Sequence, residues 1–208
     1  MQKIRKHLSI LLSLLMIISM FSILPVNAFA GRALISAMPV AASAEEDSYV
    51  SDTLTVNDAA KTHNYTAWSS VQKESGAVYA GKSAGDGYYI QFNTGSNQHG
   101  GIVSTTSGGL VKSVSVVWNS KTTAGRVLSV YGKNTAYAST DDLYNADERG
   151  TLIGEISYDG EESVGEISID GYYQYVAVRP RSNAQYFDSV SFSWGEYESA
   201  WAHLFGLR

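Results

Sequence analysis

The stretch that decides the fold is residues 187–194, which read FDSVSFSW. Apolar and polar residues alternate along it, with valine, phenylalanine and tryptophan separated by serines. Residues 114–118, VSVVW, and residues 88–92, YYIQF, follow the same period. Successive side chains of a β-strand point to opposite faces, so this period predicts strands with one buried and one hydrated face. Sheets of that kind are mostly antiparallel.

Short segments of this kind recur along the chain, separated by glycine-rich turns. About ten of them predict an all-β fold, an antiparallel β-sandwich of jelly-roll type that follows an N-terminal signal helix. Trp118 and Trp194 share a face with aliphatic residues and are expected in the core. Tyr88, Ile90 and Phe92 are expected to point inward together. The predicted strands span residues 53–57, 77–81, 87–93, 101–105, 110–119, 126–132, 151–158, 164–170, 173–179 and 186–194.

The first 30 residues differ in composition from the rest. A basic beginning is followed by an apolar run over residues 8–24 and by the small-residue triplet Ala28-Phe29-Ala30. This order is typical of a cleaved signal peptide, so residues 1–30 are predicted as a leader and the mature chain as exported and free of the membrane. An uncleaved anchor helix is the alternative, because the apolar run is near the minimum length for spanning a bilayer.

The mature chain divides into three parts by composition. Residues 31–52 are alanine-rich and then acidic, which predicts a disordered spacer. Residues 53–194 carry the alternating pattern and are the predicted sandwich domain. Residues 195–208 leave that pattern and place apolar residues at helical spacing. We expect this tail to be a short helix packed on the sandwich, the start of a following domain, or a reading-frame artefact.

Charge and cysteine content exclude several classes of protein. The formal net charge is −5, and it becomes −8 without the three basic residues of the leader. An acidic chain argues against a nucleic-acid binder that works through phosphate contacts. The absence of cysteine excludes disulfide scaffolds, thiolate nucleophiles, Cys-ligated zinc and iron–sulfur clusters. An exported chain without cysteine also indicates a bacterial envelope or medium, so the predicted location is secreted or cell-surface.

Several segments together resemble a known kind of module. They are residues 109–119 (GLVKSVSVVWN), 125–137 (GRVLSVYGKNTAY), 142–144 (DLY), 150–154 (GTLIG), 175–179 (YVAVR) and 187–194 (FDSVSFSW). The chain resembles β-sandwich modules of bacterial secreted and cell-surface proteins, which look like jelly rolls of the galactose-binding or carbohydrate-binding type. The resemblance implies a binding module without catalytic residues, and it leaves the ligand unspecified.

Motifs of catalysis are weak in this sequence. The mature chain has His63, His99 and His203, but no G-x-S-x-G nucleophile motif accompanies them. Residues 76–83, GAVYAGKS, match the bare P-loop expression. A P-loop needs a buried strand before it and a helix after it, and the next segment alternates as a strand instead, so we interpret the match as chance. The chain is therefore predicted not to be an enzyme, with a hydrolase as the least favoured function.

Aromatic and polar side chains supply the candidate ligand contacts. Alternation places Tyr173, Tyr175 and Arg179 on the face opposite two core valines. Aromatic rings stack on the C–H faces of sugars and arginine binds hydroxyl groups, so these residues are candidates for glycan binding. The alternative is that they pack against a second sheet or are simply typical of strands.

Two further places are candidates for ligand contact. Trp68 and Tyr65 lie in a loop-like segment and could form an aromatic platform at an edge. Asp188 directly precedes the last predicted strand, where it either contacts a ligand or pins a turn by hydrogen bonds to backbone amides.

The long polar connection over residues 133–150 is the candidate metal site. It carries Asp141, Asp142 and Asp147, and carboxylate oxygens are preferred by calcium. Their spacing matches no EF-hand, so a structural calcium is expected only by analogy with jelly-roll modules, and a solvated acidic loop is the alternative. One helical turn is predicted from Asp141 with Thr140 as its N-cap.

The function that these observations favour is a secreted, non-catalytic binding module. Its expected partner is an extracellular glycan or a surface protein at the bacterial surface, with no cofactor besides the calcium. The alternative is a structural or adhesive spacer module that has no small-molecule ligand.

Overall fold

A computed structural model of the chain describes residues 49–196. The predicted leader, residues 31–48 of the predicted spacer and the tail beyond residue 196 lie outside the described residues. Within 49–196 the chain forms eleven strands. They are β1 (Tyr49–Thr55), β2 (Thr66–Gln72), β3 (Val78–Ser83), β4 (Ile90–Phe92), β5 (Gly101–Thr106), β6 (Leu110–Trp118), β7 (Arg126–Lys133), β8 (Thr151–Tyr158), β9 (Val164–Ser168), β10 (Tyr175–Pro180) and β11 (Gln185–Gly195). Helix α1 (Val56–Ala59) and a 3-10 helix (Thr140–Tyr144) are short.

The strands form two antiparallel sheets, which confirms the predicted all-β sandwich. Sheet I has the order β1-β11-β6-β9, and β4 also pairs with β11. Sheet II has the order β2-β3-β5-β10-β7-β8. Strands that are neighbours in a sheet are often distant in sequence, as β1 and β11 are. No helix within residues 49–196 is long and apolar enough to span a membrane.

The alternation read from the sequence places the core between the two sheets. Trp118 and Trp194 are 3% and 1% exposed, as predicted. Ile90 and Phe92 are also buried, but the inward orientation predicted for Tyr88 is wrong, because this side chain is 80% exposed. Tyr88 belongs to a tight turn that ends before β4 begins, so the alternation does not extend to it.

The outer face of sheet I explains much of the serine content. Ser191 and Ser193 of β11 lie beside Ser115 and Ser113 of β6 in register. Hydroxyl groups bond across the strands here, as between Thr53 Oγ1 and Ser191 Oγ at 2.8 Å. Small polar side chains on this face and large apolar ones on the other produce the alternating sequence.

Strand β1 begins earlier than the sequence pattern indicates. It starts at Tyr49, inside the predicted spacer 31–52, and its residues pair with β11 from Tyr49 opposite Gly195 to Thr55 opposite Ser189. The pattern conceals this strand because Asp52 points inward and is only 2% exposed. A buried carboxylate is stable there because it accepts hydrogen bonds from Ser75 and Tyr79.

Strand β2 is absent from the predicted set. Its inward residues are Trp68 and Val71, which are an odd number of positions apart because a register shift lies between them. Ser70 adopts a positive φ of 62° at this irregularity. A bulge changes which side chains share a face, so β2 shows no regular period of two.

The registers define two ends of the sandwich. Tyr49 pairs with Gly195, so the chain enters and leaves the described domain at one end, which we call the proximal end. The opposite, distal end carries the connections over residues 56–65, 84–89, 93–100, 119–125, 159–163 and 181–184. The long connection 134–150 leaves β7 and rejoins β8 at the proximal end, and it runs along the outer face of sheet II toward the distal end.

Candidate functional site

The predicted aromatic face of β10 is confirmed only in part. Tyr175 and Arg179 lie on the outer face of sheet II, on either side of Ala177. Tyr173 does not join them. It precedes β10, and its ring packs against the core between the sheets, where it lies over Gly132. The predicted strand begins two residues too early at Tyr173, because β10 itself begins only at Tyr175.

Trp68 is a packing residue of β2, which contradicts the predicted loop platform. Its indole packs against the inter-sheet core, and its Nε1–H donates to Ser83 Oγ at 2.9 Å. The ring lies directly over Gly81, where any Cβ would be within 2.1 Å of it. Gly81 and Ser83 are part of the P-loop-like match, and both lie in strand β3.

The acidic candidates are used in local hydrogen bonds. Asp188 lies within β11 at a register shift, not before the strand, and accepts from Asn119 Nδ2 at 2.6 Å. Asp142 accepts from the Ala138 amide at 2.8 Å, and its Oδ2 is 3.7 Å from Lys133 Nζ. Asp141 and Asp147 are exposed, and among residues 49–196 no three acidic or histidine side chains are grouped to hold a metal ion.

Residues 134–150, which we call the docked strap, cover the outer face of sheet II. Tyr137 and Leu143 are fully buried against a floor of small residues, Ala80, Val103 and Ala177. The expected helical turn exists as a 3-10 helix, but Ser139 is its N-cap, accepting from the Asp141 amide at 3.1 Å. Thr140, the predicted cap, is instead the first residue of this helix and is buried.

Glycine allows the strap to approach the sheet. A Cβ on Gly101 would lie 2.8 Å from Leu143 Cδ1, so only glycine leaves room for this leucine. The Tyr144 hydroxyl donates to the carbonyl oxygens of Gly100, at 2.8 Å, and Asn93, at 3.2 Å. Burial raises the pKa of Tyr144, although the neighbouring charge of Arg179 and the hydrogen bond at Gly100 lower it. The phenol therefore stays neutral and acts as a donor that ties the strap to the distal end.

Cationic side chains stack on the tyrosines beneath and beside the strap. The Arg179 guanidinium carbon is 4.9 Å from the Tyr144 ring centroid and 5.7 Å from that of Tyr131. Arg149 approaches the Tyr131 ring at 5.6 Å. His99 stacks in parallel on Tyr144, with ring centroids 3.9 Å apart. This arrangement fixes two guanidinium groups on one face of the domain.

A second group of tyrosines lies at the distal end of sheet I. Tyr89 and Tyr186 meet edge to face at 5.1 Å, and Lys121 Nζ is 4.3 Å from the Tyr89 ring centroid. Gln91 Nε2 donates to the Tyr186 hydroxyl at 3.2 Å. Burial, with a smaller contribution from the nearby tyrosines, raises the pKa of Tyr65 to about 12. Tyr65, one of the two predicted platform residues, therefore lies within this polar aromatic group.

The most exposed aromatic side chain belongs to the same end. Tyr88, at 80% exposed, exceeds every other large apolar residue in the described part of the chain. It follows the turn that carries Asp86, whose Oδ2 is 2.9 Å from Nδ1 of the exposed His63. A free aromatic face thus lies next to a hydrogen-bonding pair and the buried tyrosine group.

No protein-family model matches this chain. No curated protein is significantly similar to it either. Flat exposed rings beside amide, imidazole, phenol and carboxylate groups are suited to sugars, which offer apolar C–H faces and a rim of hydroxyls.

Sequence reasoning missed several of these residues for different reasons. Tyr88 had a usable signal, because Gly85-Asp86-Gly87 immediately before it indicates a tight turn and hence an exposed side chain. His99, Tyr131 and Tyr144 had none, because they come together only through the strand order of sheet II and the docking of the strap.

Proposed function

We propose that this chain is a secreted, non-catalytic module that binds an extracellular glycan through its distal end. The observation that carries the proposal is Tyr88, a fully presented aromatic ring at that end of the sandwich. An exposed ring can stack on the apolar C–H face of a sugar without disturbing the core of the domain. The paired His63 and Asp86 beside it offer hydrogen bonds to sugar hydroxyls.

The position of the ring also supports binding to a large target. Tyr88 is at the distal end, opposite the end where Tyr49 and Gly195 pair. A long polymer can therefore approach the ring without crossing the strand ends at Tyr49 and Gly195. The leader-like residues 1–30 and the resemblance to bacterial carbohydrate-binding sandwiches support export and a glycan target.

The test compares two exposed tyrosines on the full chain. Tyr88→Ala removes the distal ring, and Tyr172→Ala is the matched control, since Tyr172 is 61% exposed but lies at the proximal end. Binding is measured by affinity electrophoresis in gels that contain neutral galactans, glucans or mannans, and in gels with acidic polysaccharides. We expect Tyr88→Ala to weaken retardation about tenfold, because a stacked ring contributes strongly to sugar binding, and Tyr172→Ala to leave it unchanged.

Two results would overturn the proposal. One is the absence of retardation by every polysaccharide class, which would favour the structural or adhesive spacer function. The other is an equal loss in both variants while circular dichroism shows both folded, because the distal ring would then have no special role.

A further inference from the structure

We propose that the outer face of sheet II holds a subsite for oxyanion groups on the glycan, formed by Lys82, Arg149 and Arg179. This inference rests on the proposed function and names the chemical class of its ligand. These three residues form a cationic patch on an acidic domain. Residues 49–196 contain 10 basic and 16 acidic side chains.

The three cations lie together on one face. Lys82 of β3 pairs with Gly101 of β5, and the Cβ position of Gly101 is 3.6 Å from the Arg179 Cβ. Lys82 and Arg179 therefore leave the sheet on the same side, separated by one strand, or about 10 Å. Arg149 reaches the same area from the end of the docked strap, because both guanidinium groups lie near Tyr131.

None of these cations has a carboxylate partner in the described part of the chain. The ion pairs there join other residues, namely His63–Asp86, Lys73–Asp58, Lys133–Asp142 and Arg181–Glu155. The Arg179 Nε–H is buried and has no hydrogen-bond acceptor among residues 49–196. No hydrogen bond from the other Arg179 guanidinium nitrogens is found among these residues, so their N–H groups remain available to a ligand.

A carboxylate or sulfate group of a ligand would supply the anionic acceptor that these three cations lack. Stacking on Tyr131 and Tyr144 holds the Arg179 guanidinium plane, so little side-chain entropy is lost when it binds a carboxylate or sulfate. Carboxylate and sulfate groups form charge-assisted, bidentate hydrogen bonds with guanidinium. Three cations at separate positions suit a polymer with repeated acidic groups better than a single small ion. Because Lys82 and Arg179 lie toward the distal end, one acidic chain can contact both of them and Tyr88.

The experiment uses three defined probes and the full chain. Polygalacturonate carries carboxylates, dextran sulfate carries sulfates, and a neutral galactan carries neither. The variants are Arg179→Gln, Lys82→Gln and the matched control Arg181→Gln, whose cation is already paired with Glu155 at 3.2 Å. Affinities are measured at low and at physiological salt, with thermal melting as the check on folding.

We expect one or both acidic probes to bind more tightly than the galactan. Arg179→Gln and Lys82→Gln should each weaken that binding about tenfold, and Arg181→Gln should not. Lys82→Gln keeps the test valid if Arg179→Gln disturbs the strap, because Lys82 takes no part in the strap's stacked rings. The relative loss for polygalacturonate and dextran sulfate identifies which oxyanion the patch prefers.

Failure of this inference differs from failure of the proposed function. If galactan and acidic probes bind equally, and Lys82→Gln and Arg179→Gln change neither, the oxyanion subsite is refuted while glycan binding stands. If Arg181→Gln weakens acidic probes as much as the two patch variants do, the attraction is nonspecific and the subsite is also refuted. If no polysaccharide binds, both proposals fail together.

Discussion

Replacing Asp52 by asparagine should destabilise the domain far more than its conservative chemistry suggests. The Asp52 carboxylate is buried between the sheets and accepts from the Ser75 amide at 3.0 Å, from the Ser75 hydroxyl, and from the Tyr79 hydroxyl at 2.8 Å. Tyr79 in turn accepts from Trp194 Nε1 at 2.8 Å. The four residues join β1 and β11 of sheet I to β3 and the turn before it.

The magnitude follows from counting donors and acceptors. An asparagine with its oxygen toward the Ser75 amide presents an NH₂ group to the Tyr79 hydroxyl, which already accepts from Trp194. The Tyr79 and Ser75 hydroxyl protons then both lose their shared acceptor, Asp52 Oδ2, and the buried phenol donor alone costs about 1–3 kcal/mol. Tyr79→Phe leaves the Trp194 N–H unsatisfied and should cost a similar amount. In the double variant the phenolic proton is gone, so its cost should be less than the sum of the two single costs.

Urea unfolding followed by tryptophan fluorescence and circular dichroism measures these costs. The matched control is Ser193→Ala, which removes a hydroxyl on the outer face of the same β11 strand and should change stability by less than about 0.5 kcal/mol. The reasoning is refuted if Asp52→Asn costs no more than Ser193→Ala. It is also refuted if the Asp52 and Tyr79 effects add fully, because groups in one hydrogen-bond network should be coupled.

Two other perturbations test the strap and helix α1. Leu143→Ala should reduce the free energy of docking the strap by about 2–5 kcal/mol. Limited proteolysis should then cut within residues 134–150 at urea concentrations that leave the sandwich folded. Unchanged cleavage would contradict this. Burial raises the pKa of Asp58, but hydrogen bonds from Thr55 and Lys73 outweigh it and hold this pKa below 3.8. A lowered pKa stabilises the fold above that pH, so the advantage over Asp58→Asn in unfolding experiments should shrink as the pH falls below about 4. A pH-independent difference would contradict the assignment.

The sandwich was predictable because its strongest signals are local. Each of the ten predicted strands overlaps an observed one, since a period of two arises directly from the geometry of a half-buried strand. The prediction fails where apolar and polar residues do not alternate along a strand. Strand β2 contains a bulge, and β1 buries a carboxylate, so neither shows the regular alternation on which the prediction depends.

The candidate site was much less predictable because it is assembled from distant segments. The sequence predicts Arg179 as a candidate because it alternates with core valines. The rings that surround it, Tyr131 and Tyr144, come from another strand and from the strap. The predictions for Tyr173 and Trp68 fail for local reasons. Strand β10 begins only at Tyr175, so the alternation does not reach Tyr173, and the bulge in β2 obscures the strand that holds Trp68.

The pairing of Tyr49 with Gly195 also determines how the domain responds to mechanical load. Tension applied to the flanking segments would pull β1 and β11 apart from their shared end, so their hydrogen bonds would break one pair after another. Strands loaded in shear would instead share the force among all their bonds. A domain pulled from these two strand ends would therefore open at a lower force than one whose terminal strands are loaded in shear.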